Sequence, residues 1–348
     1  MRHLIPIFIA ILAVTASNAA VRTVSNNAAI PAQYTNLQTA INESAAGDTV
    51  YVSWSATSYG NVTLTKRIVM IGDGYNGGLS GKAAQIAEMI YSQTDNTTNC
   101  SGSFISGFKI STVRSGLTNG DPSIDDMIFT RCWITSNLYF YNTSNIAHNL
   151  HENWYFKDCI LSQSAGANNS GNRFLGVSNV LFSNCVFINN FQNSGNAITF
   201  RNCNFFSFTS TLFFNCENMT LENCIFYDAT PQGLANSVFN NCLTFSTNND
   251  VIPYGSNTGS NNLVNENPMF INYIASFDLL DDIRLDDNSP AKTAGTDGTE
   301  LGVFGGSKPM PDLSGEPNLP YIKSLIILNS EVGKDGSLKF KVEAQNNE

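Results

Sequence analysis

Six cysteines occupy one fixed place in a short recurring pattern, and no other feature restricts the fold of this chain as strongly. Aligned on Cys132, Cys159, Cys185, Cys203, Cys224 and Cys242, the pattern starts with Asn or Asp. It continues through Phe or Leu three positions later, then a polar residue directly before the Cys, and ends on Phe, Ile or Leu. The instances are DMIFTRCWI (Asp126 to Ile134), NWYFKDCIL (Asn153 to Leu161), NVLFSNCVF (Asn179 to Phe187) and NMTLENCIF (Asn218 to Phe226). AITFRNCNF (Ala197 to Phe205) and NSVFNNCLT (Asn236 to Thr244) are looser, and SFISGFKI (Ser103 to Ile110) fits with Gly107 before Phe108 in the cysteine slot. Successive motif cysteines are 27, 26, 18, 21 and 18 residues apart. One strand-like pattern per period of this size marks a solenoid. Apolar residues alternate, a polar residue interrupts, and alternation resumes, which reads as strand, tight bend, strand and not as a 3.6-residue helical period. Asn suits the bend because it tolerates left-handed backbone and bonds neighbouring backbone groups. Identical bends stacked about 4.8 Å apart are expected to form an Asn ladder.

Strand alternation places each motif cysteine, and the apolar residue two positions on, inside the coil. Free Cys packs as a small hydrophobe. Disulfides between in-register parallel neighbours are disfavoured, because the side chains run parallel at about 4.8 Å whereas a disulfide wants Cβ atoms near 3.8 Å. Buried free thiols are therefore expected. Cys100 and Cys216 lie outside the register, and whether they pair is left open.

Two further stretches, with the repeat, resemble the right-handed parallel β-helix of the pectate-lyase-like superfamily. NLQTAINESAAGDTVYV (Asn36 to Val52) looks like the start of such helices, a short helix whose Leu37, Ala40 and Ile41 share one face and cover the end of the coil, then Gly-Asp, then a strand. VTLTKRIVMIGDG (Val62 to Gly74) looks like the following coil. Asn267 to Gly306 resembles the closing segment, with Ser289-Pro290-Ala291, Gly295-Thr296-Asp297 and Gly302-Val303-Phe304-Gly305. The resemblance spans residues from about 30 to 306 and implies an all-β, single-stranded right-handed parallel β-helix with an N-terminal helical cap. Ser53 to Tyr59 departs from the usual first corner, and Ser80 to Asn99 fits no coil, so a loop or short helix is expected there.

The first nineteen residues are laid out as a cleaved secretory signal: Arg2 and His3, an apolar run from Leu4 to Val14, then Ser17 and Ala19. That run is too short to span a bilayer, and no later segment is long and apolar enough. The expected organisation is 1–19 signal peptide, 20–306 β-helix, and 307–348 a Pro-rich linker with a C-terminal hairpin. In the tail, YIKSLIILNSEV and SLKFKVEAQ alternate around Gly333 to Gly336. Charged residues make up 13% of the chain and the formal charge is −10. With no basic run, nucleic acid is not an expected partner.

The resemblance raises the question of an enzyme. Lyases of the superfamily need calcium-holding acids or a Lys or Arg against a uronate, with a base near the C5 proton. Its glycosidases use paired carboxylates with Gly-His-Gly and Arg-x-Lys. Asp125-Asp126 is present, but Gly-His-Gly and Arg-x-Lys are not, and His148 and His151 in HNLHE lack a metal-binding order. No catalytic set is assigned.

The outward slot before each bend holds Ser106, Thr130, Lys157, Ser183, Arg201, Glu222 and Asn240, so Lys157, Arg201 and Glu222 share a line able to grip a sugar acid, or form an ordinary solvated face. Tyr139 and Tyr141 of LYFYN share a strand face on which a sugar would stack, or pack as any strand pair does. The slot after each cysteine holds Trp133, Ile160, Val186, Asn204, Ile225 and Leu243. An outward apolar stripe of this length marks a partner surface, or one covered by a loop or tail. Asp278, Asp281, Asp282, Asp286 and Asp287 make calcium conceivable, although their spacing fits no known loop, and no other cofactor or metal is expected. The expectation is a secreted or cell-surface protein, non-enzymatic, binding a polysaccharide or protein partner along the solenoid face. The alternatives are a polysaccharide lyase or glycoside hydrolase acting on an acidic glycan such as pectin, and a structural subunit of an extracellular assembly.

Overall fold

The computed structural model describes residues 19–75, 82–118, 121–140, 151–162, 172–173, 176–188, 190–194, 197–206, 211–273, 276–317, 321–329 and 336–345. The chain winds as an all-β parallel β-solenoid. One wall is an eleven-stranded parallel sheet running from Val21–Val24 to Thr258–Ser260, one strand per coil. The second sheet curves over the two remaining walls. Trp133–Tyr139 shows how: its first residues pair with Ile160–Leu161, and Tyr139 pairs with Arg173 on the next wall. Leu37–Glu43 is a helix, capped by the Asn36 side chain accepting from Thr39 N at 2.9 Å, and it buries Leu37, Ala40 and Ile41 over the end of the coil.

The bend is as the sequence implies. Gly107, Arg131, Asp158, Asn184, Asn202, Asn223 and Asn241 all have positive φ, between 49° and 77°. This backbone disfavours most L-residues and is best tolerated by Gly, Asn and Asp. The pattern's opening residue marks a second left-handed corner, at Asp126, Asn153, Asn179, Asn218 and Asn236. The amide ladder stands at that second corner: Asn153 Nδ2 donates to Asp126 Oδ1 at 3.0 Å and Asn179 Nδ2 to Asn153 Oδ1 at 2.5 Å. The ladder expected at the first bend is absent from the described bonds there, because those amides reach out of the solenoid instead.

Inside, the rows are uniform. Phe129, Phe156, Phe182 and Phe200 stack with centroids 5.1, 4.7 and 5.2 Å apart. Each offset pair adds about 0.5–1.5 kcal/mol to its area burial. All eight cysteines are free and buried. Each motif thiol donates to a carbonyl of the preceding coil, as Cys185 Sγ does to Phe156 O at 3.5 Å. Cys100 and Cys216 are free as well.

Two expectations change. Gln85–Tyr91 is a full wall strand between Asn61–Leu64 and Lys109–Ser115, not a loop or helix. The outward stripe does point away from the coil, but Ile160, Val186, Ile225 and Leu243 are at most 1% exposed. The closing segment covers them with Phe270, Ile283, Leu285, Leu301 and Val303, Met310 just beyond it joins the cover, and Trp133 packs at the margin of the same cluster. That stripe is therefore occupied by the chain itself and is not a partner surface. Its one polar member, Asn204, accepts from Val303 N at 3.2 Å. The tail hairpin forms as expected, Tyr321–Ile327 against Phe340–Gln345. No described helix is long and apolar enough to cross a membrane.

Candidate functional site

The bend amides, freed from a ladder, peg the closing segment to the coil. Asn184 Nδ2 donates to Val303 O and Gly305 O, both at 2.9 Å. Asn223 Oδ1 accepts from Thr296 N at 2.9 Å, and Asn241 Nδ2 donates to Ala294 O at 2.7 Å. The pegs hold residues 294–308 beside the first sheet, along the line of outward slots. Strand register aligns Lys157, Ser183, Arg201 and Glu222 on successive coils.

Between this line and the segment lies a cleft of about 360 Å³. Its walls carry Lys157, Arg201 and Lys308 as cations, Glu222 and Asp297 as acids, and otherwise amides, hydroxyls and the ring of Tyr155. The structure thus brings Lys157, Arg201 and Glu222 into one site. Arg201 Nε lies 3.3 Å from Glu222 Oε2, and Glu222 Oε1 accepts from Thr296 Oγ1 at 2.9 Å. Lys157 Nζ lies 2.6 Å from Asp158 Oδ2. Among the described residues Lys308 has no acidic partner.

A second cleft of about 300 Å³ adjoins the first, sharing Lys157 and Lys308 and adding Ser106, Thr130, Arg131, Asp158 and Pro317. Here the bend column departs from Asn. Arg131 and Asp158 stand at adjacent rungs, 6% and 5% exposed. Burial pushes the Asp158 carboxyl up to about 6, against the downward pull of Lys157. Its Oδ1 has no hydrogen-bond partner among the described residues.

Tyr139 lies elsewhere, on the wall where it aligns with Arg114 and Arg173, and Tyr141 and His148 fall outside the described residues. His151 is buried, its Nδ1 accepting from Ile124 N at 2.8 Å, which is a structural position. The acids near the end serve their own turns: Asp281 Oδ2 accepts from Asp278 N at 2.7 Å, and Asp282 pairs with Arg284 at 2.5 Å. No three His, Cys, Asp or Glu side chains converge among the described residues. Lys308, Tyr155 and Thr296 escaped the sequence reading because the segment's docking brings two of them in. The change from Asn to Arg131 and Asp158 was the readable sign of a special place.

No protein-family model matches the chain, and no curated protein sequence matches it. Among solved structures it is similar to the deglycosylated pectin methylesterase from Aspergillus niger. That likeness has a TM-score of 0.34 at 11% identity and covers 71% of this chain and 87% of that one. The same enzyme in a penultimately deglycosylated form, which keeps an N-acetylglucosamine stub, gives 0.34 at 12%, with the same coverage. The likeness carries nothing about the site, which rests on the residues described above.

Proposed function

We propose that this is an exported, non-enzymatic β-helix protein that binds an acidic polysaccharide in the cleft of Lys157, Arg201 and Lys308. The observation that carries the reading is that cleft: three cations and two acids on a wall otherwise built of amides, hydroxyls and one aromatic ring, with Lys308 lacking an acidic partner among the described residues. Amides and hydroxyls exchange hydrogen bonds with sugar hydroxyls, while a cation without a local acid answers a sugar carboxylate. On a chain of charge −10 such a patch works locally, and its attraction is screened by salt. Export rests on the layout of the first nineteen residues.

Titration of the protein with oligogalacturonate, oligoalginate and chondroitin fragments, beside neutral glucans, tests the reading. Binding is expected to favour the acidic glycans and to weaken as salt rises. Lys308→Ala and Arg201→Ala are each expected to weaken it roughly two- to fivefold, the range of exposed ion pairs. Equal binding of neutral glycans, or none at all, would count against it.

One observation favours a second reading, turnover of the same glycan by a lyase or hydrolase. Asp158, with its carboxyl held near 6, has the poise of a general acid or base. Release of unsaturated or newly reducing ends, abolished in Asp158→Asn or Lys157→Ala, would replace the binding reading with this one.

A further inference from the structure

We infer that residues 308–317 form a strap that lifts off the coil and opens the second cleft to ligand. The strap crosses the rungs where the bend column changes from Asn to Arg131 and Asp158. Met310 and Leu313 pack it into the apolar cluster over the outward stripe, and two hydrogen bonds tie it to the rest of the described chain. Met310 is buried and its N donates to Val303 O at 2.9 Å, and the Arg131 guanidinium donates to Glu316 O. Gly315, at φ +71°, lies flat on the Tyr75 ring, so that a methyl group there would collide with it. Lys308 and Pro317, at the two ends of the strap, line the cleft.

The closed position is stressed in a specific way. Asp158 Oδ1 and the Tyr75 hydroxyl are both buried and without a hydrogen-bond partner among the described residues. Each such atom regains water when the strap lifts, which weakens the closed state relative to the open one. Asp158 adds a pH dependence. The groups around it are the charged Lys157 and Arg131 on its own face, the Cys159 thiol beside it, and the charged Lys308 from the strap, while Tyr75 senses both Asp158 and Asp312. Burial is the largest influence on its carboxyl, raising it from 3.8 to about 6. Lifting the strap removes that burial and returns the group toward 3.8, so ionisation favours the open form. The strap is closed most firmly at low pH and loosens as pH rises through about 6. Two units set a ceiling of about a hundredfold on the change in the open fraction.

Ligand access to this cleft rests on the glycan reading above, but the motion does not, and it is tested without ligand. Hydrogen exchange of peptides covering 308–317 in the full chain is compared at about pH 5 and about pH 7.5, after correction for intrinsic rates. Opening is expected to be about tenfold greater at the higher pH. Asp158→Asn, which places in this rung the residue of four other rungs, is expected to remove that difference. Gly315→Ala is expected to exchange fast at both values. Exchange that is equal at the two values in the unaltered chain, or a pH difference that survives in Asp158→Asn, overturns the proposal. So does a Gly315→Ala strap as protected as the original. If the strap behaves as expected and no acidic glycan binds, only the glycan reading falls.

Discussion

Asn184 does two jobs that separate in mutants. Its backbone sits at φ 53°, and its side chain donates to Val303 O and Gly305 O. Alanine keeps neither advantage. Left-handed backbone costs roughly 1–2 kcal/mol in a residue with an ordinary Cβ, and each lost bond about 1 kcal/mol. Asn184→Ala is therefore expected to destabilise by about 2–4 kcal/mol in urea unfolding. Asn184→Gly removes the strain but not the loss of bonds, and is expected to fall about 1 kcal/mol closer to the original. Equal stability of the alanine and original proteins would show that the peg is idle. The first of these jobs was legible in the sequence, since a polar residue interrupting an alternating pattern must turn the chain. The second was not. Nothing local in NVLFSNCVF says that its amide will meet a carbonyl some 120 positions away, and the local rule pointed to a ladder with the neighbouring coil instead.

At the level of one coil, the constant positions form rows, and the cysteine row is the clearest. An oxidising compartment would favour disulfides, yet the coil spacing keeps parallel thiols from the geometry of a bond and gives each a carbonyl to donate to. Alkylation without reductant is expected to leave the native protein unlabelled and to label eight thiols once it is unfolded. Any thiol that needs reduction before it reacts would break the row. The inward half of each coil could be read from alternation because burial there is set by near neighbours. The outward half could not. Ile160, Val186, Ile225 and Leu243 gave the right signal, an apolar stripe facing away from the coil. Sequence alone could not decide whether a partner or the chain's own tail covers it, because both satisfy the same hydrophobic demand. Likewise Lys157, Arg201 and Glu222 could be aligned from the repeat, whereas Lys308 joins them only through the closing segment.

The whole molecule divides into parts that contribute unequally to stability, and truncation separates them. The closing segment buries Ile160, Val186, Ile225 and Leu243 almost completely. At about 1.5–3 kcal/mol for each such side chain, the stripe alone represents on the order of 6–12 kcal/mol of burial. That equals the net stability of a typical domain. The bend amides of Asn184, Asn223 and Asn241 also lose their partners when the segment is removed. The hairpin differs. Tyr321–Ile327 and Phe340–Gln345 pair with each other in a two-stranded sheet, and Ile327 and Phe340 remain 60% and 56% exposed. A chain ending at Pro317 is therefore expected to melt at the temperature of the full protein. A chain ending at Glu266 is expected to aggregate or lose cooperative unfolding. The comparison also bears on assembly, since a free apolar hairpin is marginal alone and gains by pairing with another surface. Light scattering of the full chain and of the chain ending at Pro317 separates the roles. A larger species seen only with the hairpin would make the tail an assembly element, and identical monomers would rule that role out.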